Sequence, residues 1–292
     1  MNGGAPRRSR VDPTKPKRPD SRVMHSLAVL IVACLLSFEA SSAPSSAPAT
    51  VFIDDLTWTE LRAEIAAGKT TLLVPIGGTE QNGPHMTLGK HNARASALAQ
   101  KIAHALGNAL VAPTIAYVPE GALNPPTSHM RFPGTITIPE AAFENTIEYA
   151  ARSFKLHGFR DIVLLADHGG YRRSLKTVAD RLDREWASTP VRVHALDEYY
   201  AAADTLFAQA LRRQGYRDEE IGTHAGLADT SLAMAIDPRL VRTDRLRSAD
   251  PLGRADGVYG DPRRATPELG QAGVDLIVAN SVAAIRRAVA RK

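Results

Sequence analysis

The chain has 292 residues and 44% of them are apolar, so it can bury a sizeable core and lacks the composition of a disordered or fibrous protein. Its single cysteine, Cys34, excludes an intrachain disulfide and a zinc site built on several thiolates. The net charge of +5 comes from residues 1–23, which hold seven basic and two acidic side chains, whereas the remainder holds 29 of each. The folded part is therefore expected to be neutral, which argues against a nucleic-acid partner.

Residues 1–43 have the order of a secretory leader. Basic residues precede an uncharged apolar run over 26–38, which is shorter than the roughly 20 residues of a transmembrane helix, and small residues follow it. This order predicts a signal peptide cleaved after Ala43, an exported chain that is periplasmic or secreted, and membrane contact only through the leader. Lipid anchoring at Cys34, an uncleaved anchor and a start at Met24 are the alternatives. We favour cleavage over the lipid anchor because the apolar run continues past Cys34.

A linker rich in Ser, Ala and Pro over 44–51 precedes one predicted domain over 52–292, since neither a repeat nor a second linker follows. Helical spacing predicts helices over 57–68, 93–107, 139–158, 172–187, 201–214, near 230–236 and over 269–290. Apolar runs predict strands over 70–78, 109–118, 161–167 and 191–196, with a break or an edge position at Pro113. Alternating strands and helices predict an α/β fold with right-handed βαβ units and a mainly parallel sheet covered on both faces.

Potential ligands cluster in the loops that follow the predicted strands. In an open parallel sheet, ligands bind beyond the carboxyl ends of the strands. Carboxylate oxygen and imidazole nitrogen are the ordinary ligands of zinc and related divalent ions. Each segment taken alone also suits a polar turn or a helix cap. The residues at these strand ends are Glu80, Asn82, His85, His91, His129 and His168.

Four segments in their order are more specific than any one of them. They are GGTEQNGPHMTL (77–88), SHMRFPGTI (128–136), ADHGGY (166–171) and HAGLADTS (224–231). Together they resemble the creatininase (creatinine amidohydrolase) family, over about residues 52–290. The resemblance implies a three-layer α/β/α sandwich, often assembled as a homo-oligomeric hexamer. It also implies hydrolysis of cyclic amides, formamides or related C–N bonds with one or two divalent metals.

The resemblance also assigns roles and reveals departures. Glu80 and His168 match metal ligands, whereas Asn82 stands where the family has its first ligand histidine, and His91 where it has a metal-bridging Asp. An amide oxygen is a weak ligand and an imidazole cannot bridge two metals as a carboxylate does. We therefore expect one ion held by Glu80, His91 and His168. Two ions with unusual ligands, Asn82 included, and a metal-free descendant are the alternatives. Zinc is favoured, with Mn or Fe also compatible with these ligand types.

The predicted function is hydrolysis of a C–N bond in a small linear or cyclic amide by metal-activated water. His224 matches a residue that moves protons near the scissile bond. A nearby carboxylate, either Asp229, where the family has Glu, or Glu80, is expected to orient the water. A non-catalytic periplasmic binding protein on the same fold is the alternative from another class, and hydrolysis of an ester or lactone is a third. The remaining predicted site residues are substrate contacts at His129, Gly169 and Gly170, and a supporting position behind the site at His85.

Overall fold

The computed structural model describes residues 50–246 and 252–290, together with Met1 and Gly3. Residues Pro48–Lys292 form one compact unit. The predicted leader, its cleavage site and most of the linker lie outside the described residues. Within the described ranges, no helix combines the length and the apolar character that a membrane span requires.

Four parallel strands form the sheet of the described part of the chain. They are β1 (Thr71–Ile76), β2 (Ala109–Val111), β3 (Asp161–Ala166) and β4 (Arg192–Ala195), in the order β2-β1-β3-β4. Every residue of β1 and β3 is buried, which explains why both are apolar after their first residues, Thr71 and Asp161. Ile76 pairs with Ala166, so the two central strands end at the same level. The loops that follow them therefore leave the sheet side by side.

Local signals set the ends of the helices. Thr57 and Glu60 form a reciprocal cap at the start of the first helix, and Gly107 and Gly158 end two others in the left-handed conformation. The helices are α1 (Trp58–Ala66), α2 (Lys90–Leu106), α3 (Glu140–His157), α4 (Arg172–Glu185), α5 (Asp197–Ala201), α6 (Phe207–Arg213), α7 (Asp218–Ile221), α8 (Leu227–Ile236), α9 (Thr243–Leu246) and α10 (Pro267–Val289).

The sheet divides the core into two layers of side chains. On one face, Leu73 and Val163 pack in a cluster with residues of α2, α8 and α10. On the other face, Leu72 and Leu164 pack with residues of α3 and α4. Side chains of successive strand residues point to opposite faces, so a fully apolar strand contributes to both clusters. The predicted α/β/α sandwich with a parallel sheet is confirmed.

Three of the differences from the sequence prediction concern β2, α2 and the helix predicted over 201–214. β2 ends at Val111 instead of reaching residue 118, because Pro113 has no N–H for the ladder, and only Ile115 returns to bridge Ile76. Helix α2 begins at Lys90, three residues earlier than predicted, so His91 lies on a helix rather than in a loop. The helix predicted over 201–214 begins at Asp197 and contains a π-helical turn over Ala202–Leu206.

Candidate active site

Loops at the carboxyl edge of the sheet bring acidic and imidazole side chains together beneath a cavity of about 400 Å³. Glu80 follows β1, Glu120 follows β2, and His168 follows β3. His129 lies in a short 3₁₀ turn over Ser128–Arg131, and His224 precedes α8. This placement agrees with the rule that parallel sheets bind ligands beyond the carboxyl ends of their strands.

Four of these side chains converge on one point. The Nε2 atom of His129 lies 3.3 Å from Glu80 Oε2, and the Nε2 atom of His168 lies 3.6 Å from the same oxygen. His168 Nε2 is also 3.9 Å from Glu120 Oε2. One potential ligand atom from each of the four residues lies within 4.8 Å of all the others. Around an ion with bonds of about 2.0–2.2 Å, tetrahedral ligand atoms stand about 3.4 Å apart, so these separations suit a single ion.

The carboxylates of the cluster have the chemistry of a cation site. Glu80 Oε2 and both carboxyl oxygens of Glu120 are buried and find no hydrogen-bond partner among the described residues. Burial and the neighbouring Glu80 raise the pKa of Glu120 to about 9. Burial also acts to raise the pKa of Glu80, but the interaction with His91 outweighs it and holds this pKa well below its usual range. Two adjacent buried carboxyls that cannot both ionise alone can do so around a divalent cation, so the residues present fit a metal.

The imidazoles of the cluster are neutral, which is the charge state that binds metals. Burial lowers the pKa of His168 to about 4 and lowers that of His129, so both rings are neutral at pH 7. Gly170 N donates to His168 Nδ1 over 3.1 Å, and Gln81 Nε2 lies 3.0 Å from His129 Nδ1. These contacts turn both Nε2 atoms towards Glu80. Ligation through Nε2 needs the lone pair of that nitrogen and leaves the ring proton on Nδ1, so binding of an ion rearranges both contacts.

Sequence reasoning missed Glu120. It occurs as a lone acid in the loop after β2 and belongs to none of the four motif segments. Thr137 Oγ1 accepts from its backbone N–H over 2.9 Å. Gly78, with φ +150°, leaves the space its carboxyl fills, because a Cβ there would lie 2.7 Å from Glu120 Oε1. The available signal was its position: an acid close behind an apolar run that approaches the sheet edge.

The predicted ligands His91 and Asn82 make hydrogen bonds of their own beside the cluster. His91 Nε2 lies 2.7 Å from Glu80 Oε1 and its Nδ1 lies 2.6 Å from Asp167 Oδ2, so both ring nitrogens face carboxylates. The Asn82 side-chain amide donates to the backbone oxygens of Glu80 and Thr87, at 2.8 and 3.1 Å. Both residues lie outside the four-atom cluster. His91 therefore bridges two acids behind the site, and Asn82 braces the loop that carries Glu80.

Asp229 lies in an ion cluster beside the metal-binding residues. Its Oδ1 accepts from Arg94 Nη1 over 2.6 Å, and its Oδ2 pairs with Lys90 Nζ and accepts from Ala225 N. Burial acts to raise the pKa of Asp229, but Lys90 and Arg94 hold it well below its usual range. A carboxylate held by two cations is a poor base, so the expected water-orienting role of Asp229 does not fit this geometry.

Asp167 is the second acid held by the same arginine. Arg94 Nε donates to Asp167 Oδ2 over 2.9 Å, and the Tyr199 hydroxyl donates to Oδ1 over 2.8 Å. Burial acts to raise the pKa of Asp167, but Arg94 and His91 outweigh it and lower the pKa. Asp167 therefore remains a carboxylate and fixes the ring of His91.

His224 faces the cluster with one ring nitrogen. Its Nε2 lies 3.0 Å from the backbone oxygen of Gln81, and its Nδ1 lies 3.7 Å from Glu80 Oε1. The same Nε2 also lies 3.1 Å from the side-chain nitrogen of Gln81, so its two neighbours are an acceptor and a donor. Burial lowers the pKa of His224 to about 3, so the ring is neutral at pH 7 and carries a single proton.

The remaining predicted site residues, Gly169, Gly170 and His85, lie in different parts of the site. Gly169 lines the cavity, as predicted for a substrate contact, whereas the N–H of Gly170 donates to His168 Nδ1. His85 is fully buried, and its Nε2 lies 3.0 Å from Thr230 Oγ1 in α8. His85 therefore joins the loop that carries Glu80 to the helix that carries Asp229.

The fold and the site place the chain in the class of α/β/α hydrolases that act at the carboxyl edge of a parallel sheet. The family model described as "Creatininase: Creatinine amidohydrolase" matches residues 54–285. The chain therefore belongs to the creatininase family, whose members are amidohydrolases that act on C–N bonds, and it is a hydrolase of this type.

Individual proteins that are similar to the chain support this family assignment. The creatinine amidohydrolase of Pseudomonas putida is 31% identical over 202 residues, which cover 68% of this chain and 76% of that protein. The mycofactocin precursor peptide peptidase of Mycolicibacterium smegmatis is 29% identical over 221 residues, covering 68% and 78%. A crystal structure of creatinine amidohydrolase superimposes with a TM-score of 0.70 at 26% identity, covering 84% of this chain and all of the other. Other creatininase structures of this fold carry Mn or Zn.

Proposed function

We propose that the chain is a metal-dependent amidohydrolase that cleaves the C–N bond of a small linear or cyclic amide with one divalent ion. The observation that carries the proposal is the cluster of Glu80, Glu120, His129 and His168, in which buried carboxyl oxygens face neutral imidazoles. When bound there, a divalent ion supplies an activated water near neutral pH and polarises a carbonyl group. The mixed oxygen and nitrogen ligands suit Zn, Mn or Fe, and we favour Zn.

The side chains around the cluster supply proton transfer. His224 lies beside the cluster, with its Nδ1 3.7 Å from Glu80 Oε1, and is placed to carry a proton from the attacking water to the leaving nitrogen. The low pKa of His224 makes the protonated ring a strong donor, so it passes that proton to the leaving nitrogen. Glu80 keeps its charge beside His91, and Asp167 fixes the His91 ring from behind. Asp229 acts by holding Lys90 and Arg94 in the wall of the cavity.

The shape of the cavity favours a small substrate. Its volume of about 400 Å³ lies near the lower end of the range for ligand sites. Ala208, Ile221 and Leu232 give it an apolar wall, and Arg131 and Tyr259 add polar groups. The relatives are described as acting on creatinine in one case and on a precursor peptide in another, so family membership leaves the amide itself open.

We also propose that the chain is exported by its leader and that the folded part assembles as a homo-oligomer. The support for export is the order of basic, apolar and small residues over 1–43. The support for assembly is the resemblance to a family whose members are often hexameric. Mass spectrometry of the mature N-terminus and light scattering of the purified protein test the two statements separately.

Metal content together with amide hydrolysis tests the proposed function. Elemental analysis of the purified protein should find a bound divalent metal, which Glu80→Gln and His168→Ala should lose. His104→Ala replaces an exposed histidine on α2 and serves as the matched control. A panel of cyclic and linear amides, followed by released amine, should then find a substrate that only the metal-loaded protein hydrolyses. A protein that binds no metal after reconstitution, or binds it and hydrolyses no C–N bond, would favour the non-catalytic binding protein.

A further inference from the structure

Lys90 is a buried ammonium group in the wall of the cavity. It is the first residue of α2, and only 1% of its surface is exposed. Its Nζ pairs with Asp229 Oδ2. An ammonium group costs several kcal/mol to bury and is tolerated where an opposite charge compensates it. The charges that surround Lys90 must therefore account for its burial in the wall of the cavity.

Beneath the cavity, two buried cations pair with two of the acids, and two other acids remain without a cationic partner of this kind. In the described part of the chain, Lys90 and Arg94 are the buried cations of this region, and they bind Asp229 and Asp167. The acids left over are Glu80 and Glu120. Glu80 Oε2 and both oxygens of Glu120 are the carboxyl atoms that no described group hydrogen-bonds.

The remaining negative charge matches one divalent ion. When both are ionised around a cation, Glu80 and Glu120 contribute two negative charges, which one divalent ion offsets. Two divalent ions would leave a buried excess of positive charge beside Lys90 and Arg94, which the low dielectric of the interior makes costly.

We propose that the ammonium group of Lys90 limits this site to one divalent ion and, by pairing with Asp229, prevents that carboxylate from acting as a ligand. The inference rests on the proposed function, since it concerns the same metal site. Lys90 is here a positioning residue, because it acts through Asp229. By contrast, one creatininase structure of this fold is described as a Zn-Zn type.

The test measures metal stoichiometry in the folded protein. Wild type, Lys90→Met and Lys90→Arg are stripped with a chelator and titrated with Zn²⁺ or Mn²⁺ by calorimetry, with elemental analysis of the dialysed product. Wild type and Lys90→Arg should bind one equivalent. Lys90→Met, which keeps the length of the side chain but not its charge, removes the cation from Asp229 Oδ2 and should bind two. Lys176→Met is the matched control and should bind one, because Lys176 pairs with Asp180 at the surface.

Two further variants keep the inference testable if Lys90→Met does not fold, as judged by circular dichroism. Asp229→Asn should retain one equivalent, because Asp229 is not a ligand, and Lys90→Met/Asp229→Asn should also bind one. Loss of the ion in Asp229→Asn would overturn the inference, as would two equivalents in wild type. A folded Lys90→Met protein with one equivalent refutes only the role of Lys90. A wild-type protein that binds no ion refutes the proposed function itself.

Discussion

The substitution Glu120→Gln should stabilise the metal-free protein and destabilise the metal-loaded one. The pKa of Glu120 is raised from 4.5 to about 9 by burial and by Glu80. Because the folded-state pKa lies above the unfolded value, the contribution of the Glu120 carboxyl to stability is fully present below pH 4.5 and is lost as the pH rises towards 9. Neutral pH lies about 2.5 pH units above the unfolded value, and at 1.36 kcal/mol per unit the cost is about 3 kcal/mol. Glutamine, which has no proton to lose, removes this cost.

In the metal-loaded protein, Glu120→Gln should lower the stability instead of raising it. A ligand present at 100 times its dissociation constant stabilises the folded state by about 2.7 kcal/mol, and a variant that has lost affinity forfeits this gain. Urea unfolding of chelator-treated protein at pH 5, 7 and 9 measures the first effect, and the same experiment with added metal measures the second. The advantage of Glu120→Gln in the metal-free state should grow steadily from pH 5 to pH 9. Glu140→Gln, at an exposed position, is the control and should follow wild type throughout.

Two outcomes would refute this reasoning. If the stabilities of metal-free wild type and Glu120→Gln differ by the same amount at all three pH values, Glu120 does not titrate in the folded protein as its buried position implies. If added metal stabilises the variant as much as wild type, Glu120 does not bind the ion. Either result would return the ligand set to residues within the sequence motifs.

Three further predictions follow from single contacts. His224→Ala should lower kcat by about 10²–10⁴-fold while metal content and KM stay near wild type, because the ring moves a proton without binding the ion; steady-state kinetics and elemental analysis check this. Tyr199→Phe removes the hydroxyl that donates to Asp167 and should cost about 1–2 kcal/mol in urea unfolding without loss of metal. Gly78→Ala puts a Cβ 2.7 Å from Glu120 Oε1 at φ +150°, so it should weaken metal binding at least tenfold and lower stability by about 1–3 kcal/mol.

The sequence predicts the fold well because the fold depends on regular patterns. The central strands are buried on both faces and appear as apolar runs, and glycines after residues 106 and 157 mark helix ends that the structure confirms. The start of α2 was predicted three residues late because its cap, Gly89, makes no side-chain hydrogen bond and gives no local signal. That shift moved Lys90 and His91 from a helix into a loop. As a result, their contacts with Asp229 and Glu80 could not be anticipated.

The candidate site was predictable in location but not in ligand set. The strand-end rule placed Glu80, His129 and His168 at one edge, and the structure brings them together. Which acid completes the set depends on the space beside Gly78 and on the absence of described partners for Glu120, neither of which a linear pattern contains. Similarly, the motif position of Asp229 suggested chemistry, whereas two cations from α2 decide what its carboxylate does.

The departures at Asn82 and His91 would favour a binding protein if the motifs alone defined the site. In the structure, however, the amide of Asn82 braces the loop through backbone oxygens, and His91 is fixed between two acids. Glu120, which completes the four-residue cluster, and Lys90, which pairs with Asp229, lie outside the motif segments by which the family is recognised. The family ligands missing at the motif positions are thus accompanied by other charged residues, whose positions near the site become visible only in the structure. Whether Glu120 binds the ion that the proposed mechanism requires is measured directly by the stability of Glu120→Gln with and without added metal.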